Sequence, residues 1–241
     1  MIRIFQPVTL QKNQAFMLDK RGSHYLATVL RVKINDEVTL FNGMGGEWQA
    51  RIIHISKQGI TCEPQIFNAE NRESPLMIYL FQGISRGEKM DFTIQKAVEL
   101  GVHKIFPLFS ERCNVKFDAE RSQKRLSHWQ GVLVSACEQS GRNILPTISE
   151  PDTFNHSVDK FLDCSRLILT PTGHQKIADL DCANIPQLCI FIGPEGGFSR
   201  AEIKLALNRG FQSVSLGPRI LRTETAGLAA LAMLQSRLGD M

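Results

Sequence analysis

A chain of 241 residues, 43% of them hydrophobic, can bury a sizeable core in one large domain or two modest ones. No stretch approaches the roughly 18–20 consecutive apolar residues of a membrane span, and the N-terminus lacks a signal peptide's apolar run, so we expect a cytoplasmic protein with no membrane partner. The net charge is only +4, but residues 1–34 carry six basic residues against one acidic residue. Such clustering indicates either a nucleic-acid partner or an ordinary solvated face, and charge alone does not decide between them.

The first seventy residues have the pattern of a small β-rich domain. Three apolar-rich segments separated by glycine-containing turns are predicted to be strands: 37–41, 47–55 and 60–63. A short helix is predicted over 24–31, where Leu26, Val29 and Leu30 stand at helical spacing. We interpret residues 1–70 as a small β-barrel with one helix.

After a polar linker at 71–75, strands alternate with helices. The predicted strands are 76–82, 105–109, 167–170, 188–192 and 214–216. Four helices are predicted, the first two over 89–100 and 118–139. The third is capped by Ser199 and Glu202 and ends at Asn208. The last begins at about Thr223 and is expected to be buried nearly all round. This alternation predicts an α/β domain with a parallel sheet over residues 76–241.

Cysteine and histidine show no metal or nucleophile pattern. The six cysteines are scattered without a C-x-x-C pair: Cys62, Cys113, Cys137, Cys164, Cys182 and Cys189. We expect no metal site and interpret them chiefly as small buried hydrophobic residues in a reducing compartment. The histidines have no serine or aspartate partner at a recognisable spacing, and G-x-S-x-G is absent, which argues against a hydrolase.

Three late strands are each followed by a loop rich in glycine and proline: 170–173, 193–197 and 217–223. Because the carboxyl ends of parallel strands lie at one edge of a sheet, these loops could enclose a single pocket. Their spacing fits neither G-x-x-x-x-G-K-[ST] nor G-x-G-x-x-G. A small uncharged or cationic cofactor therefore fits better than a nucleoside triphosphate, and a dinucleotide-dependent oxidoreductase is not supported.

Two polar clusters allow two interpretations each. Residues 136–142 either terminate the long helix, with Gly141 as C-cap and Arg142 complementing the dipole, or form a corner that faces a substrate. In the same way, Thr223 or Thr225 is either an N-cap with Glu224 in the first turn or part of a site.

Four segments taken together resemble one family. They are Ile-Gly-Pro-Glu-Gly-Gly-Phe at 192–198, Leu-Gly-Pro-Arg-Ile-Leu-Arg-Thr-Glu-Thr-Ala at 216–226, Glu-Gln-Ser-Gly-Arg at 138–142 and Glu-Leu-Gly-Val at 99–102. They are closely similar to the RsmE family of SPOUT-class methyltransferases, and the resemblance spans essentially the whole chain. It implies methylation, by S-adenosylmethionine (SAM), of N3 of one uridine of 16S ribosomal RNA in the small ribosomal subunit, at position 1498 in the usual rRNA numbering.

The resemblance also implies the architecture and the cofactor site. The N-terminal domain is expected to be a PUA-like RNA-binding barrel, the C-terminal domain a deep trefoil knot, and the protein a homodimer. SAM is expected to be held by the three loops, at Leu169, Thr170, Pro171, Thr172, Gly173, Ile192, Gly193, Pro194, Glu195, Gly196, Gly197, Leu216, Gly217, Ile220, Leu221, Arg222, Thr223 and Ala226.

Uridine N3 is protonated at neutral pH, so its methylation requires a general base near N3 and a cation near the flanking oxygens. From their place in the resembled motifs, we assign the cation to Arg142 and the base to Glu138 or Glu224. RNA contacts are expected from Arg3, Lys20, Arg21, His24, Arg31, Arg86 and Lys89. The alternative is a non-catalytic ribosome-associated RNA-binding factor with a degenerate knot, against which the intact glycine loops argue.

Overall fold

A computed structural model describes residues 2–115, 119–161, 163–180 and 185–241. The chain forms two compact units. The first holds the described residues of Met1–Glu73 and Cys137–Leu145, and the second those of Ser74–Ala136 and Pro146–Met241. Asp118, at which the long helix was predicted to begin, and Cys182 lie outside the described residues. Within the described ranges, no helix has the length and apolarity needed to cross a membrane.

The described part of the first unit contains a five-stranded sheet in the order β1-β3-β4-β5-β2. Its strands are β1 (Arg3–Phe5), β2 (Phe16–Met17), β3 (Glu37–Phe41), β4 (Glu47–Ile55) and β5 (Ile60–Asn68). Strands β3, β4 and β5 confirm the three predicted strands and pair antiparallel, while β1 pairs parallel to β3. Strand β5 runs five residues beyond the predicted end at Glu63.

The helical segment of the first unit differs from its prediction. Helix α1 (Lys20–His24) is followed at once by a π-helix over Tyr25–Leu30. Leu26 is buried, whereas Val29 is 60% exposed and Leu30 is also exposed, so these three residues do not share one face. The reason is that i→i+5 bonding changes the number of residues in a turn, so residues three and four apart no longer share a face.

The described strands of the second unit form an eight-stranded sheet in which every pair is parallel, as predicted. The strands are β6 (Met77–Gly83), β7 (Lys104–Phe109), β8 (Thr147–Ile148), β9 (Asp152–Thr153), β10 (Ser165–Leu169), β11 (Gln175–Lys176), β12 (Gln187–Ile192) and β13 (Gln212–Ser215). Their order is β11-β13-β10-β12-β6-β7-β8, with β9 also beside β7. At the centre, the ring of Phe81 stacks between those of Phe191 and Phe106, with centroids 4.2 and 4.4 Å away.

The helices are α2 (Glu88–Glu99), α3 (Ala119–Ser140), α4 (Phe154–Ser157), a short 3₁₀ helix (Ile177–Asp179), α5 (Arg200–Asn208) and α6 (Thr223–Leu238). The predicted capping box of α5 is present, since the Ser199 side chain and the Glu202 side chain each accept from the other residue's backbone N–H. Helix α6 is less completely buried than predicted. Its residues Ala226, Ala230 and Leu234 are buried, whereas Leu228 and Met233 remain partly exposed.

Candidate active site

The three glycine loops meet at one edge of the parallel sheet. Strand β10 lies between β12 and β13, with Ile168 beside Phe191 and Leu169 beside Val214 in register. Since all three strands run in the same direction, the loops that follow them leave the sheet side by side. The predicted convergence of the loops is therefore present.

The loops enclose a cavity of about 570 Å³, and all of its described lining residues belong to the second unit. All the residues that the resemblance assigned to SAM line it, except Thr172 and Gly173. Five further lining residues had not been assigned to the cofactor: Lys89, Arg112, Phe198, Ile203 and Arg219. Apolar and backbone surface from the three loops thus forms a concave site of ligand size.

Glycine serves two different purposes around this cavity. Gly197 and Gly217 have positive φ angles of 67° and 126°, and a Cβ on either would meet no atom within 4 Å. Both line the cavity, so their bare backbone leaves open space there. Gly173 is needed for packing instead, because a Cβ would lie 2.6 Å from the backbone nitrogen of Ser215.

A buried hydrogen-bond chain fixes the loop after β12. The side-chain amide of Gln82 donates to the Thr223 hydroxyl at 3.0 Å, and that hydroxyl donates to the Gly193 carbonyl at 2.5 Å. The N-cap of α6 is Arg222, so neither Thr223 nor Thr225 is the N-cap that one interpretation had suggested. Thr223 instead joins the start of α6 to the loop that lines the cavity.

Substitution of Thr223 by valine is expected to weaken SAM binding by about 10-fold, because the Gly193 carbonyl and the Gln82 amide both lose a buried partner. Thr223→Ser keeps the hydroxyl and should keep nearly the wild-type affinity. Isothermal titration of both variants with SAM measures the difference. Equal affinities for the valine and serine variants would show that the hydroxyl does not shape the site.

Glu202 connects two loops at the same edge of the sheet. Its carboxylate accepts from the backbone N–H of Ser199 and from the backbone N–H of Glu111, each at 2.8 Å. The neighbouring Arg112 donates to the Gly196 carbonyl at 3.2 Å. From the sequence, Glu202 was predictable only as half of a capping box, because its second partner is 91 residues away in the chain.

The charges on the cavity wall are mostly positive. Lys89 lies 3.6 Å from Glu195, the one acidic residue among the described lining residues, which also include Arg112, Arg219 and Arg222. SAM itself carries a sulfonium charge. Three guanidinium groups therefore suit a site that must also accept an anion, such as the backbone or the ionised base of a nucleic acid.

Comparison with known proteins gives two family matches. A family described as the RNA methyltransferase domain matches residues 72–235, and one described as the RNA methyltransferase PUA domain matches residues 18–65. The ribosomal RNA small subunit methyltransferase E of Buchnera aphidicola subsp. Schizaphis graminum is 39% identical over 99% of this chain and 97% of its own length. The chain belongs to the ribosomal RNA small subunit methyltransferase E family. This confirms the resemblance that the loop motifs carried.

Further members and solved structures cover the chain equally well. The enzyme of the same name from Bacillus subtilis is 29% identical over 97% of this chain and 96% of its own. A crystal structure of ribosomal RNA small subunit methyltransferase E from Neisseria gonorrhoeae, bound to S-adenosyl methionine, superposes with a TM-score of 0.93 at 41% identity. It covers 100% of this chain and 99% of its own.

In this member of the family, Arg142 and Glu138 belong to the first unit and are engaged there. Arg142 forms an ion pair with Glu73, with its Nε 3.0 Å from the carboxylate, and its side chain is only 6% exposed. Glu138 accepts from the Phe5 backbone N–H at 2.9 Å and pairs with Arg21. Both arrangements fit the structural interpretation of this polar cluster, in which Gly141 takes a positive φ of 86° just past the helix end.

Glu224 lies in the first turn of α6, beside the lining residue Thr223. Its Oε2 atom is buried and has no hydrogen-bond partner among the described residues. Of the two carboxylates assigned as possible bases, Glu224 is thus the one with an oxygen to which no described residue donates a hydrogen bond.

The residues expected to contact RNA fall into two groups. Lys20, Arg21, His24, Arg31 and Arg86 are exposed, and Lys89 is partly exposed. Arg3 differs, because its side chain is 9% exposed, pairs with Glu47 and donates to the Asn143 side chain at 2.6 Å. Burial raises the pKa of Glu47, but Arg3 and Arg72 outweigh it and lower that pKa overall. Arg3 therefore stabilises the first unit and has little surface left for a phosphate.

The five described cysteines are unpaired. Burial raises the pKa of Cys62 and of Cys137 to about 12, so both thiols stay neutral, as expected for structural cysteines. Cys164 is the exception, because a hydrogen bond with Cys189 lowers its pKa to about 7 and raises that of Cys189. In the described part of the chain, no group of three or more His, Cys, Asp or Glu side chains could hold a metal ion.

Proposed function

We propose that this protein transfers a methyl group from SAM to N3 of a uridine of 16S ribosomal RNA, uridine 1498 in the usual numbering, in the small ribosomal subunit of the cytoplasm. The observation that carries the proposal is the single cavity at the ends of β10, β12 and β13. It lies in a chain 41% identical to a family member whose crystal structure holds S-adenosyl methionine.

The residues of the cavity fit SAM. The open backbone at Gly197 and Gly217 leaves a cradle that any larger side chain would begin to fill. Backbone amides and carbonyls of 169–173, 192–197 and 216–221 would hold its adenine and methionine ends. Bound there, SAM supplies a methyl group on a good neutral leaving group, so positioning by the loops supplies much of the acceleration, up to about 7–11 kcal/mol.

The acceptor base needs more help from the protein than the methyl donor does. N3 must lose its proton, and the resulting negative charge spreads to the flanking carbonyl oxygens. We propose that Glu224 takes or orients this proton, since its buried Oε2 is unpartnered among the described residues, whereas Glu138 is engaged by Arg21 and Phe5. Arg142 remains our candidate for the cation beside the carbonyl oxygens of the uracil, because it belongs to the Glu-Gln-Ser-Gly-Arg segment that resembles the family.

The finer architecture is part of the same proposal. We propose a PUA-like barrel from the five-stranded sheet, a trefoil knot from the loops at the cavity, and a homodimer. The strand order supports the knot, because β12 inserts between β6 and β10, both of which precede it in the chain. The partly exposed apolar residues of α6, Leu228 and Met233, support a covering second subunit.

The proposed function is tested by mass mapping of small-subunit RNA. A strain that lacks this protein should lose one methyl group on a single uridine, and expression of the wild-type protein should restore it. An unchanged modification map would contradict the proposal.

A further inference from the structure

The π-helix of the first unit carries apolar side chains that the core of this unit does not use. Within Tyr25–Leu30, all of which the structure describes, only Leu26 is buried. Tyr25 is 41% exposed, and Val29 and Leu30 are exposed as well. These three residues form what we call the π-helix surface. Large apolar side chains that lie exposed so close together are typical of a binding surface.

The backbone of this segment is unusual in two respects. Its hydrogen bonding runs from residue i to residue i+5, as the bond from the Arg31 N–H to the Leu26 carbonyl shows. Residues five positions apart, such as Tyr25 and Leu30, therefore share one face. Arg31 then takes a left-handed conformation with φ of 53°, which is uncommon for a residue other than glycine. Both features occur more often at functional sites than elsewhere.

The charged residues that precede and follow the π-helix are mostly positive. Arg21 forms an ion pair with Glu138, and the Asp19 carboxylate accepts from the Gly22 N–H at 2.7 Å, so both are engaged inside the first unit. Three further cationic side chains are exposed and form no ion pair with a described residue: Lys20, Arg31 and Lys33. The cations that remain available favour an anionic ligand.

A ligand that fits this segment must offer an apolar face together with negative charge. An unpaired nucleotide offers both, because its base can stack on an aromatic ring while its phosphates pair with lysine and arginine. In a duplex the faces of each base are already covered by the neighbouring bases. Only an unpaired base can therefore stack on Tyr25.

We propose that the π-helix surface binds an unpaired base of the ribosomal RNA, which stacks on the ring of Tyr25 while Lys20, Arg31 and Lys33 pair with the adjoining phosphates. The inference rests on the proposed function, because it takes RNA to be the substrate. It adds a contact of a different kind, since phosphate contacts give affinity for paired and unpaired RNA alike. Stacking on Tyr25 lets the first unit select unpaired RNA.

The test compares the affinity of the protein for a short single-stranded RNA with its affinity for the duplex of that RNA and its complement. Tyr25→Ala removes the ring, Tyr25→Phe keeps it, and Arg31→Gln removes one phosphate contact. Val29→Thr changes a residue that is 60% exposed, and Ile66→Thr is its matched control on β5, where Ile66 is 59% exposed. Each protein is measured at several salt concentrations, together with its melting temperature and sedimentation coefficient.

We expect Tyr25→Ala to weaken binding of the single-stranded RNA about 10-fold and to leave binding of the duplex unchanged. The slope of log Kd against log salt should keep its wild-type value, because a stacked ring releases no counterions. Val29→Thr should bind the single strand about 3-fold more weakly, while Tyr25→Phe and Ile66→Thr should match the wild type. Arg31→Gln should weaken binding of both RNAs and reduce the slope by roughly one.

Wild-type affinity of Tyr25→Ala for the single-stranded RNA would overturn the inference, and so would an equal loss of affinity for the duplex. A lower sedimentation coefficient of Tyr25→Ala with unchanged RNA affinity would equally overturn it, because the surface would then join two copies of the chain. Weaker binding to small ribosomal subunits, with unchanged binding to the single strand, would indicate a ribosomal protein as the partner and would also contradict it. Failure of the proposed function looks different, because the wild-type protein itself would then not methylate the subunit.

Discussion

Replacement of Arg142 by alanine is expected to reduce methylation by about 10²- to 10³-fold, the usual cost of losing a group that stabilises an oxyanion, while SAM affinity stays nearly intact. SAM binding should survive because Arg142 belongs to the first unit, whereas the described lining residues of the cavity belong to the second. The substitution also leaves the Glu73 carboxylate without its buried partner, which costs about 3–5 kcal/mol of stability. Steady-state methylation, SAM titration and thermal unfolding measure the three effects.

A double variant separates chemistry from folding. Glu73→Leu with Arg142→Met replaces the buried ion pair by apolar side chains, an exchange that is often neutral for stability. If Arg142 stabilises the uracil anion, this variant folds and binds SAM but still methylates about 10²- to 10³-fold more slowly. Wild-type methylation by the double variant would restrict Arg142 to the structural role that its burial suggests.

Gly83→Ala is expected to weaken SAM binding by about 10- to 100-fold. Gly83 ends β6 against the loop after β12, and a Cβ there would lie 2.7 Å from the carbonyl carbon of Gly193. Because backbone rather than a flexible side chain is in the way, the loop must move, at an overpacking cost of about 1–3 kcal/mol. Isothermal titration with SAM measures the loss.

Gly131→Ala is the matched control for this substitution. Gly131 lies inside α3, and a Cβ there meets nothing within 4 Å. The same chemical change should therefore leave SAM affinity unchanged and raise stability by about 0.5–1 kcal/mol through helix propensity. Folded Gly83→Ala protein with wild-type affinity would show that the loop after β12 is not part of the SAM site.

Features set by neighbouring residues could be predicted from the sequence. The capping box of Ser199 and Glu202 follows from a spacing of three residues, and it is present. The convergence of the three loops was also predictable, because strands that alternate with helices form a parallel sheet whose carboxyl ends share an edge.

Features that depend on distant residues could not be predicted in this way. The second partner of Glu202, the chain from Gln82 through Thr223 to Gly193, and the ion pair of Arg142 with Glu73 join residues 30 to 141 positions apart. At Tyr25–Leu30 the spacing rule for α-helices does not apply, because this segment is a π-helix. The sequence also shows which side chains of a helix such as α6 are apolar, but it does not show how many of them neighbouring elements bury.

A crystal structure of this protein with SAM would decide whether the three loops form the binding site. We expect SAM in the cavity of about 570 Å³, in contact with the backbone of 193–197 and 217–221 and over the bare surface of Gly197 and Gly217. SAM bound elsewhere on the chain, or a cavity that stays empty at saturating SAM, would show that the loops do not form the site.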